Sequence, residues 1–292
     1  MSSFVEQFLN GLIPGSIYAL IALGYTMVYG IAKMINFAHG DIIMVGAYIL
    51  LIGLNASGVP TWLAIVLAIA GCGILGVVIE KVAYKPLRNA PSLAVLITAI
   101  GMSYFLQNLF LVIFSSKGKS VPRFIHVKDF KIGDITVSGN MIVTLIVTII
   151  IMILLTVFIN KTKLGSALRA VSEDKGAASL MGINSDLMIS MTFAIGSALA
   201  GVAGILWVSM YDKAYPTLGA IPGIKAFVAA VIGGIGSVPG AMIGGIALGL
   251  VESFTKAYIS GELVDAFVFG LLIIVLIFKP TGILGRKRIE KV

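Results

Sequence analysis

The stretch KMINFAHGDI, residues 33–42, sets Asn36, His39, Gly40 and Asp41 between two long apolar runs. An amide, an imidazole and a carboxylate are expensive to bury without partners. Residue types like these, close together in an apolar segment, suit transient polar contact with a small solute. Asn36 and His39 at i,i+3 equally suit the cap of a broken helix. Other polar residues stand in apolar runs: Gln107 and Asn108, Lys225, and Glu252 with Lys256. Glu252 and Lys256 are four residues apart and can satisfy each other. Lys33 and Lys225 are expected near interfaces, where long side chains snorkel. Asn36, His39, Asp41 and Gln107 therefore remain as candidates for a translocation pathway.

Catalytic chemistry finds little support. The two histidines, His39 and His126, are far apart, and no HExxH or His/Cys cluster suggests a metal. No GxSxG elbow occurs. SSKGKS, residues 115–120, ends like a phosphate loop, but Ile113 stands where that pattern needs its first glycine. GGIGSVPG, residues 233–240, is glycine-rich but follows no strand. The expectation is a chain that is not an enzyme, needs no cofactor and has no ATP site of its own.

The elements that must position these residues are membrane helices. The 292 residues are 59% hydrophobic and 12% charged, about half the charge of an ordinary soluble domain. Mean hydropathy is +1.07. The expected fold class is all-α: a polytopic integral membrane protein with about eight or nine transmembrane spans, some broken or re-entrant. One transmembrane domain over residues 1–292 is expected. The net charge of +8 gathers at the ends of apolar runs, as the positive-inside rule requires, and does not mark a nucleic-acid partner. The lone cysteine, Cys72, allows no intrachain disulfide and reads as a small core residue. The N-terminal run lacks a basic n-region and is expected to lead straight into the first span.

Apolar runs cover residues 8–30, 41–54, 62–79, 93–114, 141–159, 189–210, 223–252 and 264–278. The basic segments 80–88, 160–176 and 279–292 are expected on the cytoplasmic side, and parity puts 115–140 outside. Helix breaks are expected at Gly40 and at Gly236, Pro239 and Gly240. FAHGDIIMVG and SVPGAMIGG invite comparison as paired interruptions, the mark of a transport path, although glycine-rich membrane chains match one another easily. Gly236, Gly240 and Gly244, then Gly245 and Gly249, then Gly196, Ala200 and Gly204, make small-residue ladders for close helix packing.

Residues 160–188 form the longest cytoplasmic loop. Within it, apolar residues 167, 168, 171, 177, 178, 180 and 181 recur at three- and four-residue spacing, as in short amphipathic helices. Ser172, Glu173 and Asp174 read as a helix start, and Gly182 as a stop. Such a helix-turn suits a partner groove, or else lies flat on the membrane surface.

EDKGAASLMGIN, residues 173–184, resembles the Ala-Ala-x-x-x-Gly coupling motif of ABC-importer permeases, in Ala177, Ala178 and Gly182. The family's Glu directly before the alanines is replaced by Gly176, with Glu173 three places earlier. YALIALGYTMVYGIAKMINFAHGDI, AIGMSYFLQN, AFVAAVIGGIGSVPGAMIGG and KPTGILGR together resemble the high-affinity branched-chain amino acid permeases, the shorter of their two permease types. The resemblance runs from Tyr18 to Arg286. It implies a multi-pass subunit of a bacterial plasma (inner) membrane importer. Its implied partners are a second homologous permease, two cytoplasmic ATPases and an external substrate-binding protein. Glu173, Asp174, Ala177, Ala178 and Gly182 would sit in the ATPase groove, and leucine, isoleucine or valine would be the cargo. Relatives of this type also carry urea, amides and other amino acids. An ion-coupled carrier or channel is the alternative of another class.

Overall fold

The structure, a computed structural model, describes residues 2–88, 90–132 and 135–285. Asp134 and residues 286–292 of the expected basic tail lie outside the described residues. The chain is all-α but for four short strands: α1 (Ser2–Ala32), α2 (His39–Asn55), α3 (Thr61–Ile79), α4 (Ser92–Phe114), β1 (Lys119–Ser120), β2 (Phe130–Ile132), β3 (Ile135–Val137), α5 (Gly139–Lys161), α6 (Lys163–Glu173), α7 (Lys175–Leu180), α8 (Ser185–Tyr211), β4 (Lys213–Ala214), α9 (Ala220–Gly233), α10 (Val238–Tyr258) and α11 (Val264–Phe278). Six of these helices, α1, α3, α4, α5, α8 and α10, are long and apolar enough to cross a bilayer, and α2, α9 and α11 are shorter apolar helices. The chain is thus a polytopic membrane protein, and its broken spans are visible as helices.

Burial orders them. In its most apolar stretch α1 is 83% buried whereas α4 is 11% buried, so α1 is the central post and α4 a peripheral helix. Glycines permit the close crossings that bring α1, α8 and α10 together without a hydrophobic drive. Gly245 and Gly249 of α10 lie against the backbone of Ala19 and Gly15 in α1. A Cβ on Gly46 would come 2.9 Å from the Gly201 Cα and 3.1 Å from the Cys72 sulfur, which pins α2, α3 and α8 at one point. Cys72 is fully buried there, with its sulfur 3.6 Å from the Ile42 carbonyl.

Packing partners define two ends. Gly53 meets Ala64 at one end of α2 and α3, where β1 also pairs antiparallel with β4. The other end carries Lys85, Arg88 and the α6–α7 segment, the basic residues that the positive-inside rule expects on the cytoplasmic side, and is named the cytoplasmic end on that expectation. Lys175 of α7 donates to the Ala32 carbonyl, at 3.4 Å, so α1 runs from the outside end to the cytoplasmic end. Outside, Asn140 donates to the Ser209 carbonyl at 2.7 Å and fastens α5 to α8, while β2 and β3 form a small hairpin.

Two helices stop short. α2 has 17 residues and α9 has 14, about 25 and 21 Å at ~1.5 Å per residue, less than the ~30 Å of a bilayer core. They come from opposite ends and their N-termini meet. Gly219 lies against the Gly40 carbonyl, and a Cβ on Gly40 would sit 2.6 Å from the Gly219 oxygen and 3.1 Å from the Gly223 Cα. The partner of the FAHGD interruption is therefore TLGAIPG, residues 217–223, rather than SVPGAMIGG. The latter region forms a cytoplasmic hairpin instead: α9 ends at Gly233, Gly234 and Gly236 take positive φ of 106° and 96°, and α10 begins at Val238. Pro239 and Gly240 lie in the first turn of α10, where Ser237 caps the Gly240 N–H at 3.2 Å.

Candidate functional site

The chain reverses after α1 through Lys33, whose φ of 60° is left-handed, and climbs back to start α2 at His39. Asn36, His39 and Asp41 are all at least 98% buried, as expected of polar groups that cannot face lipid. They do not converge on one point. Asn36 holds the turn by its backbone, its carbonyl accepting from the His39 N–H at 3.1 Å. Its side chain makes no helix cap; α2 has none, with Ala38 at its N-cap. Instead Asn36 Oδ1 accepts from the Tyr84 hydroxyl at 2.9 Å.

His39 turns towards α1, its ring against Gly24 and edge-on to Tyr25 at 4.7 Å between centroids. Asp41 turns the other way, towards α4, where Gln107 Nε2 donates to its Oδ1 at 2.9 Å and to Ser103 Oγ at 3.2 Å. Two residues selected separately from the sequence, Asp41 and Gln107, thus meet. Gln107 is half-buried on α4, the least buried of the six long helices. Gln107 can be reached from the α4 flank, and Asp41, 1% exposed, lies behind it.

A second cluster lies where α9, α10, α11 and α1 meet. Lys225, 6% exposed, does not snorkel. It lies 3.4 Å from Glu252 and 2.9 Å from Asp265. Glu252 also takes Lys256 at 2.8 Å, the expected i,i+4 pair, and the Tyr18 hydroxyl at 2.8 Å. Every oxygen of this buried carboxylate is therefore occupied, which is the condition for tolerating a charge at such depth.

The loop expected on the cytoplasmic side holds two capped helices and leads into a third, α8. Thr162 caps α6 through the Gly165 N–H at 3.0 Å, and Asp174 caps α7 through Ala177 at 2.9 Å. Asn184 caps α8 through Leu187 at 3.0 Å. The helix start expected at residues 172–174 is narrowed to Asp174, since Ser172 and Glu173 still belong to α6. Gly182 follows α7 at φ 82°, with open space around its Cα. Ala178 is buried and Ala177 is exposed, while Leu180 and Met181 are 90% and 83% exposed. Lys175, beside this tip, has its pKa lowered by burial and, secondarily, by the Arg88 charge.

Beneath the loop lies a network inside segment 80–88, which in sequence reads only as basic flank. Glu80, fully buried, pairs with Arg88 and accepts from Ser190 Oγ at 2.7 Å. Arg88 also pairs with Asp186, which Lys85 reaches at 3.0 Å. The one available signal was an acid ending an apolar run inside an otherwise basic segment. Tyr84, Tyr18, Asp265 and Ser103 carried none, because their partners are far away in sequence.

Comparison with known proteins agrees with this architecture. The family model described as "Branched-chain amino acid transport system / permease component" matches residues 7–276. The high-affinity branched-chain amino acid transport system permease protein LivH of Escherichia coli (strain K12) is 46% identical, covering 99% of this chain and 98% of that protein. The corresponding protein BraD of Pseudomonas aeruginosa is 46% identical over the same shares. The probable branched-chain amino acid transport permease LivH of Methanocaldococcus jannaschii is 31% identical over 96% and 92%. Small-residue crossings, broken spans and a capped helix-turn at the basic end thus occur in a chain that belongs to the branched-chain amino acid transport system permease family.

Proposed function

We propose that this chain is one of two permease subunits of a binding-protein-dependent ABC importer in a bacterial plasma membrane, and that it helps to pass branched-chain amino acids across the bilayer. A second, homologous permease completes the path, two ATPases engage residues 173–182, and an external protein delivers the amino acid. The observation that carries this reading is the tip of α7. It is capped by Asp174, closed by Gly182, and presents Leu180 and Met181 almost fully exposed at the basic end. Two large apolar side chains held out on a rigid short helix suit a protein groove. Glu173 at the end of α6 and Asp174 supply acid beside them. Asp41 and Gln107, with Asn36 and His39 at the break, are assigned to the path. Asp41 and Gln107 hold each other, and Asn36 Oδ1 is held by Tyr84, whereas the Asn36 amide nitrogen and both ring nitrogens of His39 are buried without a hydrogen-bond partner among the described residues. In this reading selection of the cargo is left to the external protein.

The half-helices α2 and α9 also suit an ion-driven carrier, because helix N-termini meeting within the membrane are an arrangement such carriers use. Energy source separates the two readings. Proteoliposomes containing the co-expressed complex would be loaded with ATP and given [14C]leucine with its external binding protein. Uptake that requires ATP and persists after ionophores collapse the ion gradients is the expected result. Uptake driven by an ion gradient without ATP would overturn the importer reading.

A further inference from the structure

The last turn of α3 is not α-helical. Over Glu80–Tyr84 it widens to a π turn, in which the Lys85 N–H reaches back five residues to the Glu80 carbonyl. Such turns are rare, interrupt the α register, and are frequently found at functional sites. Both ends of this one are held by parts of the chain far away in sequence. At its start, Glu80 takes Arg88 and Ser190, and Arg88 in turn takes Asp186, in the first turn of α8 directly after the coupling turn. At its finish, the Tyr84 hydroxyl donates to Asn36 Oδ1 at 2.9 Å, in the segment that climbs to the α2 break. Glu80 and Tyr84 are both fully buried, and the Tyr84 ring packs on Phe193 of α8 at 5.2 Å.

The geometry makes these contacts conditional on one another. Relaxing a π turn to α register removes one residue from the turn and rotates the chain beyond it by roughly 100° about the axis. That rotation would draw the Tyr84 hydroxyl away from Asn36 and carry Lys85 and Arg88 away from Asp186. A turn that relaxed in this way would have two discrete arrangements, and the contacts at the α8 start and at the break segment both hold the π one. A two-state element biased by both sites is what coupling between distant sites physically requires.

We propose that the Glu80–Tyr84 turn is the joint through which movement of the cytoplasmic coupling loop reaches the break ahead of α2, with Glu80 and Tyr84 as its positioning residues. This rests on the reading of residues 173–182 as the ATPase contact. Lys175 offers a parallel link to Ala32, but through a single 3.4 Å bond from an exposed side chain.

The test uses the complete importer in proteoliposomes with [14C]leucine and its binding protein, and reads leucine moved per ATP hydrolysed. Tyr84→Phe removes the hydroxyl and keeps the ring on Phe193. Glu80→Gln keeps the shape and removes the charge. In each, the ratio is expected to fall about 3- to 10-fold while ATP hydrolysis and the KM for loaded binding protein stay near the unaltered values. The double variant should fall no further than the lower single, because both residues act through one turn. A merely structural role would lower transport and hydrolysis together and leave the ratio unchanged, which would overturn the proposal. Multiplying effects in the double variant would overturn it as well. Should Glu80→Gln fail to assemble, Tyr84→Phe alone decides. An unaltered complex without ATP-driven leucine uptake would remove the functional reading, and the joint with it.

Discussion

At the scale of single residues, the two buried glutamates Glu80 and Glu252 each have both carboxylate oxygens partnered. Glu252 holds Lys225, Lys256 and Tyr18 at once, and these partners differ in exposure. Lys225 is 7% exposed as a side chain and Lys256 is 55% exposed. Removing one member of a buried pair strands the other, at a cost of about 3–5 kcal/mol, whereas an exposed i,i+4 pair contributes about 0.3–0.5 kcal/mol. Glu252→Ala is therefore expected to lower the detergent unfolding midpoint sharply, and Lys256→Ala to leave it nearly unmoved. Equal midpoints for the two variants would refute this account of the cluster. The sequence showed the Glu252–Lys256 spacing because helix period brings those two together. It could not show Lys225, Asp265 or Tyr18 as partners, since tertiary packing of three other helices supplies them. Asp41 and Gln107 were legible one by one, as polar residues in apolar runs, but their 2.9 Å bond belongs to the α2–α4 packing.

At the scale of elements, the apolar runs gave the helices closely, because length and hydropathy decide membrane spans directly. The interruption at FAHGD was also legible, since polar residues and a glycine break an apolar run. Its partner was not. SVPG carries a proline and looks like a break, yet it turns at the cytoplasmic end, where proline and glycine serve an ordinary helix hairpin. The true partner, around Gly219, is marked only by small residues whose meaning comes from the approach of Gly40. That approach leaves no room for a side chain: a Cβ on Gly219 would overlap the Gly40 carbonyl. Gly219→Ala should therefore push the α2 and α9 N-termini apart and abolish uptake. Gly261→Ala, where a Cβ meets nothing within 4 Å, should preserve it. Retained uptake in Gly219→Ala, at normal membrane abundance, would mean that the meeting of the half-helices is not needed for transport.

At the scale of the whole molecule, the importer reading assigns this chain a path and a docking tip and leaves the motor to partner subunits. Gly182→Arg is the obvious way to damage that tip, but it is an ambiguous one. Gly182 sits at φ 82°, so any L side chain other than a tolerant asparagine strains the backbone by roughly 1 kcal/mol, whatever docks there. Leu180→Glu avoids the difficulty. Leu180 is 90% exposed and contributes next to nothing to the fold of this chain, so a change there acts on what covers it. A charge placed in an apolar protein groove is costly to desolvate, whereas a solvated tip accepts it freely. Affinity purification of the tagged chain in mild detergent should recover ATPase subunits with the unaltered protein. They should be lost from Leu180→Glu, while the second permease, which meets other surfaces, stays bound. Gly182→Asn, which keeps the left-handed turn, should retain both. If the ATPases remained bound to Leu180→Glu, the α7 tip would not be their contact, and the exposed apolar pair would have to be covered by something else, the membrane surface being the nearest candidate.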